Sequence, residues 1–560
     1  MAAEMAELEI CRYPGNARSN VREYFGFYQL KEGPKTKENL DMTKSFRKDE
    51  GKHGQNDKTS SYNLGVAAYE RCDFTSARNY FELELNEAKQ AGDTDRKLKA
   101  YNNLGRAYHH LADYKKAIEF HQQSLNIAKE IGDKGSEGKA YNNLGNAYYS
   151  LGDYKKTIEF CQQSLSIAKE TGNKGSEGEA YTGLGIAYRC LGDYKKAIEF
   201  LQLSLSIAKE IGDKGTEGGT YTNLGGAYHY LGDYAKTIEF CQQSLSIAKE
   251  TGNKGLEGTA YSSLGNSYRC LGDYKKAIEF HQQCLSITKE IGDKHTEGIA
   301  YSNLSIAYGC LGDYKKAIEF LQQSLSIAKE IGDKGSEDTA YTNLGTAYQC
   351  LGDYEKAIES HQQALSIAKE IEDERTEGIA YTNLASAHYS LGDYKKAIEF
   401  LQQSLSIAKE IGNKPSEGTA YTNLGIAYDC LGDNKKAIEF HQQALRIAKE
   451  IGDKELEQKT YNSLGLSFLK LHDFLRAEEC YESSIKVFEA MRFLLQEKDE
   501  WKISFRDQLK TYKFLWISQL RQRKTKETLV TAERGRAQAL TDLMESQFGA
   551  KSTPSASKGR

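Results

Sequence analysis

A repeat of 40 residues runs through most of the chain and constrains its fold more than any other feature. A period of this length is typical of solenoids, in which each unit buries its surface only by packing on its neighbours. A diverged unit at Ser61 precedes the regular ones, so the pattern predicts eleven units over residues 61–500. One tyrosine position marks the others: Tyr101, Tyr141, Tyr181, Tyr221, Tyr261, Tyr301, Tyr341, Tyr381, Tyr421 and Tyr461.

Each unit is predicted to form a pair of helices. In the unit at 137–175, apolar residues recur with the spacing of one helix face until Gly152, which is predicted to end the first helix. Asp153 is predicted to cap a second helix with two apolar stripes, and Gly172 and Gly175 to mark the outgoing turn. Only 4 prolines occur in the chain, so almost nothing opposes helix formation. We therefore predict an all-α solenoid of antiparallel helix pairs.

The fixed positions of the unit resemble the tetratricopeptide repeat (TPR) pattern. They include Tyr141, Leu144, Gly145, Tyr148 and the Gly-Asp-Tyr turn at 152–154. The usual unit has about 34 residues, and the longer unit with Leu-Gly-Asp turns is similar to the Pins/LGN-type subclass. The resemblance implies a right-handed superhelix that binds extended peptides and acts as a protein-interaction adaptor.

A column is the set of equivalent positions in successive repeats. Columns that vary between near-identical repeats predict where a ligand lies, because packing fixes the other positions. In helix-pair solenoids the first helices line the concave surface. Two variable columns on these helices are basic in the first half of the array and apolar in the second. We therefore predict an extended partner segment with acidic and apolar parts. The candidate contacts from these columns are Arg106, Arg189, Arg269, Ile306 and Ile426.

One column on the first helices is nearly constant and carries asparagine. An amide both donates and accepts hydrogen bonds, so a ladder of amides can bind the backbone of an extended peptide. The Pins/LGN resemblance implies the same use. The alternative is a structural bond from each amide to a neighbouring helix. The column contains Asn103, Asn143, Asn223, Asn303, Asn343, Asn383 and Asn423.

Two further columns carry cysteine and histidine, which are residues of metal and catalytic sites. Neighbouring helices pack about 8–10 Å apart, too far for one residue per repeat to form a disulfide or share a zinc ion. We predict that both columns are core packing, that the chain binds no metal or cofactor, and that it is not an enzyme. The columns contain Cys190, Cys270, Cys310, Cys350 and Cys430, and His121, His281, His361 and His441.

Composition bears on partners and location. The formal net charge of −4 gives no general attraction to nucleic acid or membranes, and no stretch reaches the length of a membrane span. The 11 cysteines form no Cys-x-x-Cys pair, which fits a reducing compartment. We predict a cytoplasmic protein that binds other proteins. We expect it neither to bind nucleic acid nor to insert into membranes.

The ends of the chain differ from the repeats. Residues 501–548, which include Trp501 and the segment 532–540, resemble the helices that join TPR arrays to CHAT domains, the caspase-like domains with a Cys/His pair. Residues 1–60 are predicted to be a partly flexible segment, and 549–560 a disordered tail. Three functions stay open: a peptide-binding adaptor, the non-catalytic regulatory arm of a CHAT-type protein, and a structural solenoid that self-associates.

Overall fold

The computed structural model describes residues 60–71, 73–495 and 505–548, and within these ranges the chain is helical with no strand. The predicted all-α class, built from repeating helix pairs, is therefore confirmed. The predictions for the segment that ends at residue 60 and for the tail at 549–560 fall, apart from Ser60, on residues outside these ranges.

The chain divides into two compact units. The described residues up to Ile327 form the N-terminal unit, and those from Ala328 onward form the C-terminal unit. Odd-numbered helices are the first helices of their pairs and even-numbered helices the second. The N-terminal unit contains α1 (Ser61–Glu70), α2 (Phe74–Ala91), α3 (Thr94–His110), α4 (Tyr114–Ile131), α5 (Lys134–Leu151), α6 (Tyr154–Thr171), α7 (Lys174–Cys190), α8 (Tyr194–Ile211), α9 (Lys214–Leu231), α10 (Tyr234–Thr251), α11 (Lys254–Cys270), α12 (Tyr274–Ile291) and α13 (Lys294–Leu311).

Helix α14 (Tyr314–Ile331) contains the division between the units. The C-terminal unit continues with α15 (Lys334–Leu351), α16 (Tyr354–Glu370), α17 (Glu374–Leu391), α18 (Tyr394–Glu410), α19 (Lys414–Leu431), α20 (Asn434–Ile451), α21 (Lys454–Lys470), α22 (Phe474–Leu495), α23 (Phe505–Arg521) and α24 (Thr525–Phe548).

Local signals set the helix ends. Gly152 ends α5 with a left-handed φ of 85°, and the Asp153 carboxylate accepts a hydrogen bond from the backbone N–H of Lys156 at the start of α6. Both roles were predicted. The outgoing turn is shorter than predicted. Gly172 ends α6, and the next residue, Asn173, already caps α7. Gly175 therefore lies inside the first turn of α7, and its assignment to the turn was wrong.

An aromatic layer holds each pair together. Phe160 of α6 stacks on Tyr148 of α5 at 5.3 Å between ring centroids and lies 6.2 Å from Tyr141. Lys156 covers the Tyr148 ring at 4.7 Å, which adds a cation–π contact. Helix α6 packs on α5 and also on α7, as its two apolar stripes require.

The histidine column lies in the core, as predicted. Each ring lies against a glycine of the partner first helix, and a Cβ added at Gly265 would come within 2.5 Å of the His281 ring. The histidine position accepts leucine elsewhere, since Leu201 lies against Gly185 in the same way. The prediction that the cysteine column is buried was wrong. Cys190 and Cys430 are exposed, because this column lies in the last turn of each first helix beside the connecting turn.

Helices α23 and α24 extend the stack of the C-terminal unit. Helix α23 packs on α22, and α24 packs on α23. Tyr512 and Leu515 join the core around Tyr481. The Lys524 ammonium lies 2.6 Å from the Glu478 carboxylate, which lowers the pKa of that carboxyl against the opposing effect of burial. The segment thus forms a further helix pair on the last repeat, while its resemblance to the helices before a CHAT domain stays a prediction.

Candidate peptide-binding surface

Several pairs of successive first helices contact one another in both units, whereas the second helices pack mainly against the first helices on either side. Each unit is therefore more closely spaced along its first helices, which places them on the inner side of its curvature. The first-helix face is the surface formed on these helices by the positions equivalent to Asn103, Arg106 and His109. It contains every predicted contact residue.

Polar side chains on the first-helix face join consecutive repeats. His109 Nε2 lies 3.0 Å from Ser150 Oγ in the N-terminal unit. In the C-terminal unit, the Gln349 amide donates to Ser390 Oγ at 2.8 Å. These bonds join neighbouring first helices directly across the face.

The asparagine column lies along these joints. The Asn143 amide donates to Asn102 Oδ1 at 2.8 Å, and the Asn303 amide donates to Ser262 Oγ at 3.4 Å. Both bonds reach the preceding first helix, which is the structural role weighed as the alternative. Buried Asn303 Oδ1 and Asn383 Nδ2 nevertheless have no hydrogen-bond partner within the described part of the chain. Asn103, Asn303, Asn343 and Asn383 are buried, and Asn143, Asn223 and Asn423 are half-buried.

The three predicted arginines have different surroundings. Arg106 is 5% exposed, and its guanidinium lies 5.0 Å from the centroid of the Tyr69 ring. Arg189 and Arg269 are half-buried. The Nε atom of each is buried, and neither Nε has a hydrogen-bond partner among the residues that the structure describes. Arg106 is therefore covered by its own array, whereas Arg189 and Arg269 reach the surface of the first-helix face.

Histidines near the arginines are held neutral. Burial and, secondarily, the charge of Arg269 lower the pKa of His229 to about 4. Burial, followed by the charges of His109 and Arg106, lowers the pKa of His110 to about 4. Near neutral pH the positive charge of this part of the face therefore comes from arginine and lysine.

The predicted apolar contacts are divided between the units. Ile306, in the N-terminal unit, is 2% exposed and packed within the array. Ile426, in the C-terminal unit, is half-buried on the first-helix face. Asp429, one turn further along α19, is turned into the array and accepts a hydrogen bond from Ser467 Oγ at 2.6 Å. Its Oδ2 atom therefore accepts an internal bond, while its buried Oδ1 atom has no hydrogen-bond partner among the described residues.

Sequence analysis missed Asp338. It is 4% exposed on α15, and its Oδ1 atom has no hydrogen-bond partner in the described ranges. Burial, with the charge of Asp373, raises the pKa of this carboxyl to about 7. The signal was present in the sequence, since the equivalent position is glycine in the repeats on either side, at Gly298 and Gly378.

The described residues contain neither a metal-binding cluster nor a helix able to cross a membrane. They hold no group of three or more His, Cys, Asp or Glu side chains placed to bind a metal ion. None of the helices they form combines the length and apolar character needed to cross a membrane.

Repeating helix pairs with a polar inner face define the class of this chain, a repeat scaffold for protein interactions. Comparison with protein families agrees, because residues 57–130, 136–210, 217–290, 256–330, 296–370, 376–450 and 416–490 match the tetratricopeptide repeat. The chain belongs to the tetratricopeptide repeat family. A search of curated proteins returned no match.

Several solved structures are similar to part of this chain. BtubC from P. vanneervenii is 21% identical, with a TM-score of 0.37 over 39% of this chain and 92% of that one. The apo quorum sensor NprR from B. thuringiensis is 19% identical, with a TM-score of 0.45 over 64% and 99%. A STAND protein with a tetratricopeptide repeat sensor from Pyrococcus horikoshii is 17% identical, with a TM-score of 0.48 over 82% and 72%.

Proposed function

We propose that this chain is an adaptor that holds an extended segment of a partner protein on its first-helix face. The observation that carries the proposal is that half-buried polar side chains of the first helices lie on this face, where a segment can reach them. Each hydrogen bond from such a side chain to a bound segment contributes about 1 kcal/mol. These side chains are Asn143, Arg189, Asn223, Arg269 and Asn423.

The two units offer different chemistry to such a segment. In the N-terminal unit, Arg189 and Arg269 favour acidic residues. In the C-terminal unit, half-buried Ile379, Ile426 and Leu466 favour apolar residues. A partner with acidic and apolar parts therefore fits the proposal, and the half-buried asparagines would bind its backbone. Cys161 and Cys480 carry free thiols, which supports the proposal of a cytoplasmic location.

A second candidate is the regulatory arm of a CHAT-type protein. It rests on the resemblance of residues 501–548 and on the firm attachment of α23 and α24 to the last repeat. Gln522 donates to Glu478 Oε2 at 2.8 Å, beside the ion pair of Lys524 with the same carboxylate. A segment held this way could transmit a change in the array to a domain attached after it.

The asparagine ladder can be tested with a partner segment recovered by crosslinking to the full chain. We expect the double variant Asn143→Ala/Asn223→Ala to bind the segment roughly 10- to 30-fold more weakly, since two hydrogen bonds contribute about 1 kcal/mol each. Isothermal titration calorimetry measures the difference. The matched control Gln202→Ala/Gln242→Ala removes two exposed amides from second helices and should leave the affinity unchanged. Equal affinities for all three proteins would exclude the ladder.

A further inference from the structure

Four fixed columns of the repeat each lose their usual residue once between residues 130 and 455, and all four losses fall between 338 and 388. Two of these columns otherwise carry glycine, and the other two carry the tyrosine and phenylalanine of the aromatic layer. The affected helices, α15, α16 and α17, are consecutive and lie within the C-terminal unit. The departures are Asp338, Ser360, Glu372 and His388.

Two departures weaken the aromatic layer. Ser360 has no ring, and its hydroxyl donates to a carbonyl of its own helix at 2.8 Å. Tyr341 and Tyr348 therefore lack the phenylalanine that packs on the equivalent rings of α5. In the next pair Phe400 stacks on His388 at 5.4 Å between ring centroids, and the imidazole buries less apolar surface than the tyrosine it replaces. The first helices α15 and α17 are therefore both held less firmly by their second helices.

The other two departures add strain and a buried carboxyl to the same helices. Glu372, in the turn between α16 and α17, has a left-handed φ of 55° that side chains other than that of glycine rarely adopt. Gly332 and Gly412 take this conformation in the repeats on either side. Asp338 places a buried carboxyl on α15 where glycine elsewhere allows close packing, since a Cβ added at Gly378 would lie 3.4 Å from a side chain of α18. Both departures raise the free energy of the folded segment.

We propose that α15, α16 and α17 form an opening segment, which unfolds locally and reversibly while the other helices of the C-terminal unit stay folded. Stability varies along a chain, and the part with the weakest packing opens first. Opening would break the bonds from the Gln349 amide on α15 to Ser386 and Ser390 on α17, and would interrupt the first-helix face. A partner bound across α15 and α17 would hold the segment closed. This regulatory role rests on the proposed function, whereas the opening itself does not.

Hydrogen–deuterium exchange with mass spectrometry tests the opening in the full chain without a partner. Peptides from α15–α17 are compared at pH 7.5 with those from α9–α11, which have a similar sequence and none of the four departures. We expect the amides of α15–α17 to exchange at least about tenfold faster. Equal or slower exchange would overturn the opening segment and leave the adaptor proposal untouched, because no partner takes part.

Reciprocal variants assign the opening to these side chains. Ser360→Phe/Glu372→Gly restores the usual residues and should slow exchange across α15–α17 by about tenfold, with α9–α11 unchanged. Phe240→Ser/Gly252→Glu introduces the same two departures at equivalent positions and should speed exchange in α9–α11. Unchanged exchange of α15–α17 in the restoring variant would overturn the proposal, even if the reciprocal variant failed to fold.

A partner segment recovered by crosslinking to the full chain tests the regulatory role. At saturation it should slow exchange in α15–α17 several-fold, because it binds only the closed form. Binding without slower exchange would overturn this role and leave the adaptor proposal standing. Failure to recover any segment would count against the adaptor proposal alone.

Discussion

Acidification from pH 7 to pH 4 is expected to destabilise the chain severely through three buried histidines. Burial lowers the pKa of His121, His281 and His361 from 6.5 to about 3 in the folded state. In the unfolded chain these residues bind protons below pH 6.5, whereas the folded state resists protonation until about pH 3. Their contribution to stability is therefore complete above pH 6.5 and is lost as the pH falls towards 3.

The size of this effect follows from the shifts. One pKa unit corresponds to about 1.4 kcal/mol, so at pH 4 each histidine costs roughly 3 kcal/mol and the three together on the order of 10 kcal/mol. That matches the whole stability of an ordinary domain, about 5–15 kcal/mol. Other groups titrate in the same range, so the comparison between variants is more informative than the wild-type curve alone.

The triple variant His121→Leu/His281→Leu/His361→Leu tests this expectation. Leucine occupies the same column at Leu201 and Leu321, where it is fully buried. We expect the urea midpoint of the triple variant, measured by circular dichroism, to fall much less between pH 7 and pH 4 than that of the wild type. His472→Asn, at an exposed position, is the control and should follow the wild type. Parallel pH profiles for the wild type and the triple variant would contradict the assignment.

Replacing Asp338 by glycine is expected to stabilise the C-terminal unit, with a pH dependence of the opposite sign. The pKa of this carboxyl rises from 3.8 to about 7 on folding, so the folded state holds its proton more tightly than the unfolded chain. The protonated form is favourable below pH 3.8, and stability is lost as the pH rises through 7. At pH 8 the charged carboxylate costs roughly 4 kcal/mol, while glycine within a helix costs only about 1 kcal/mol.

Thermal unfolding at pH 5 and pH 8 measures this effect. We expect Asp338→Gly to raise the melting temperature more at pH 8 than at pH 5. Asp338→Asn keeps the size of the side chain and removes only its charge, so it should abolish the pH-dependent part and retain the cost of a buried polar group. If Asp338→Gly melts at or below the wild-type temperature at pH 8, the buried carboxylate does not destabilise the folded state, and the prediction is contradicted.

Local signals made the fold predictable. The period, the glycine after most first helices and the aspartate that caps the second helices of the repeats act within a few residues, so one sequence suffices to read them. The error at Gly175 arose because asparagine at 173 caps a helix as well as aspartate does elsewhere. The error at Cys190 arose because the repeat pattern shows which residues are equivalent but not how far their position lies from the aromatic layer of the core.

The site was predictable only in part, because it depends on the spacing between successive first helices. Variation between repeats identified Arg189 and Arg269, whose buried Nε atoms have no partner in the described residues. It did not reveal that Arg106 and Ile306 are covered by the array, or that Asn143 bonds to Asn102. These outcomes are set by packing between units 40 residues apart in sequence, which no local pattern encodes.

Site-specific photo-crosslinking tests the central claim, binding of a partner segment on the first-helix face, most directly. A benzophenone amino acid is placed in the full chain at Ser386, exposed on first helix α17, or at Gln402, exposed on second helix α18. After irradiation in cell extract, the crosslinked peptides are identified by mass spectrometry. The account predicts that Ser386 captures one recurrent extended segment and that Gln402 captures none. Capture of the same segment from Gln402, with none from Ser386, would contradict it.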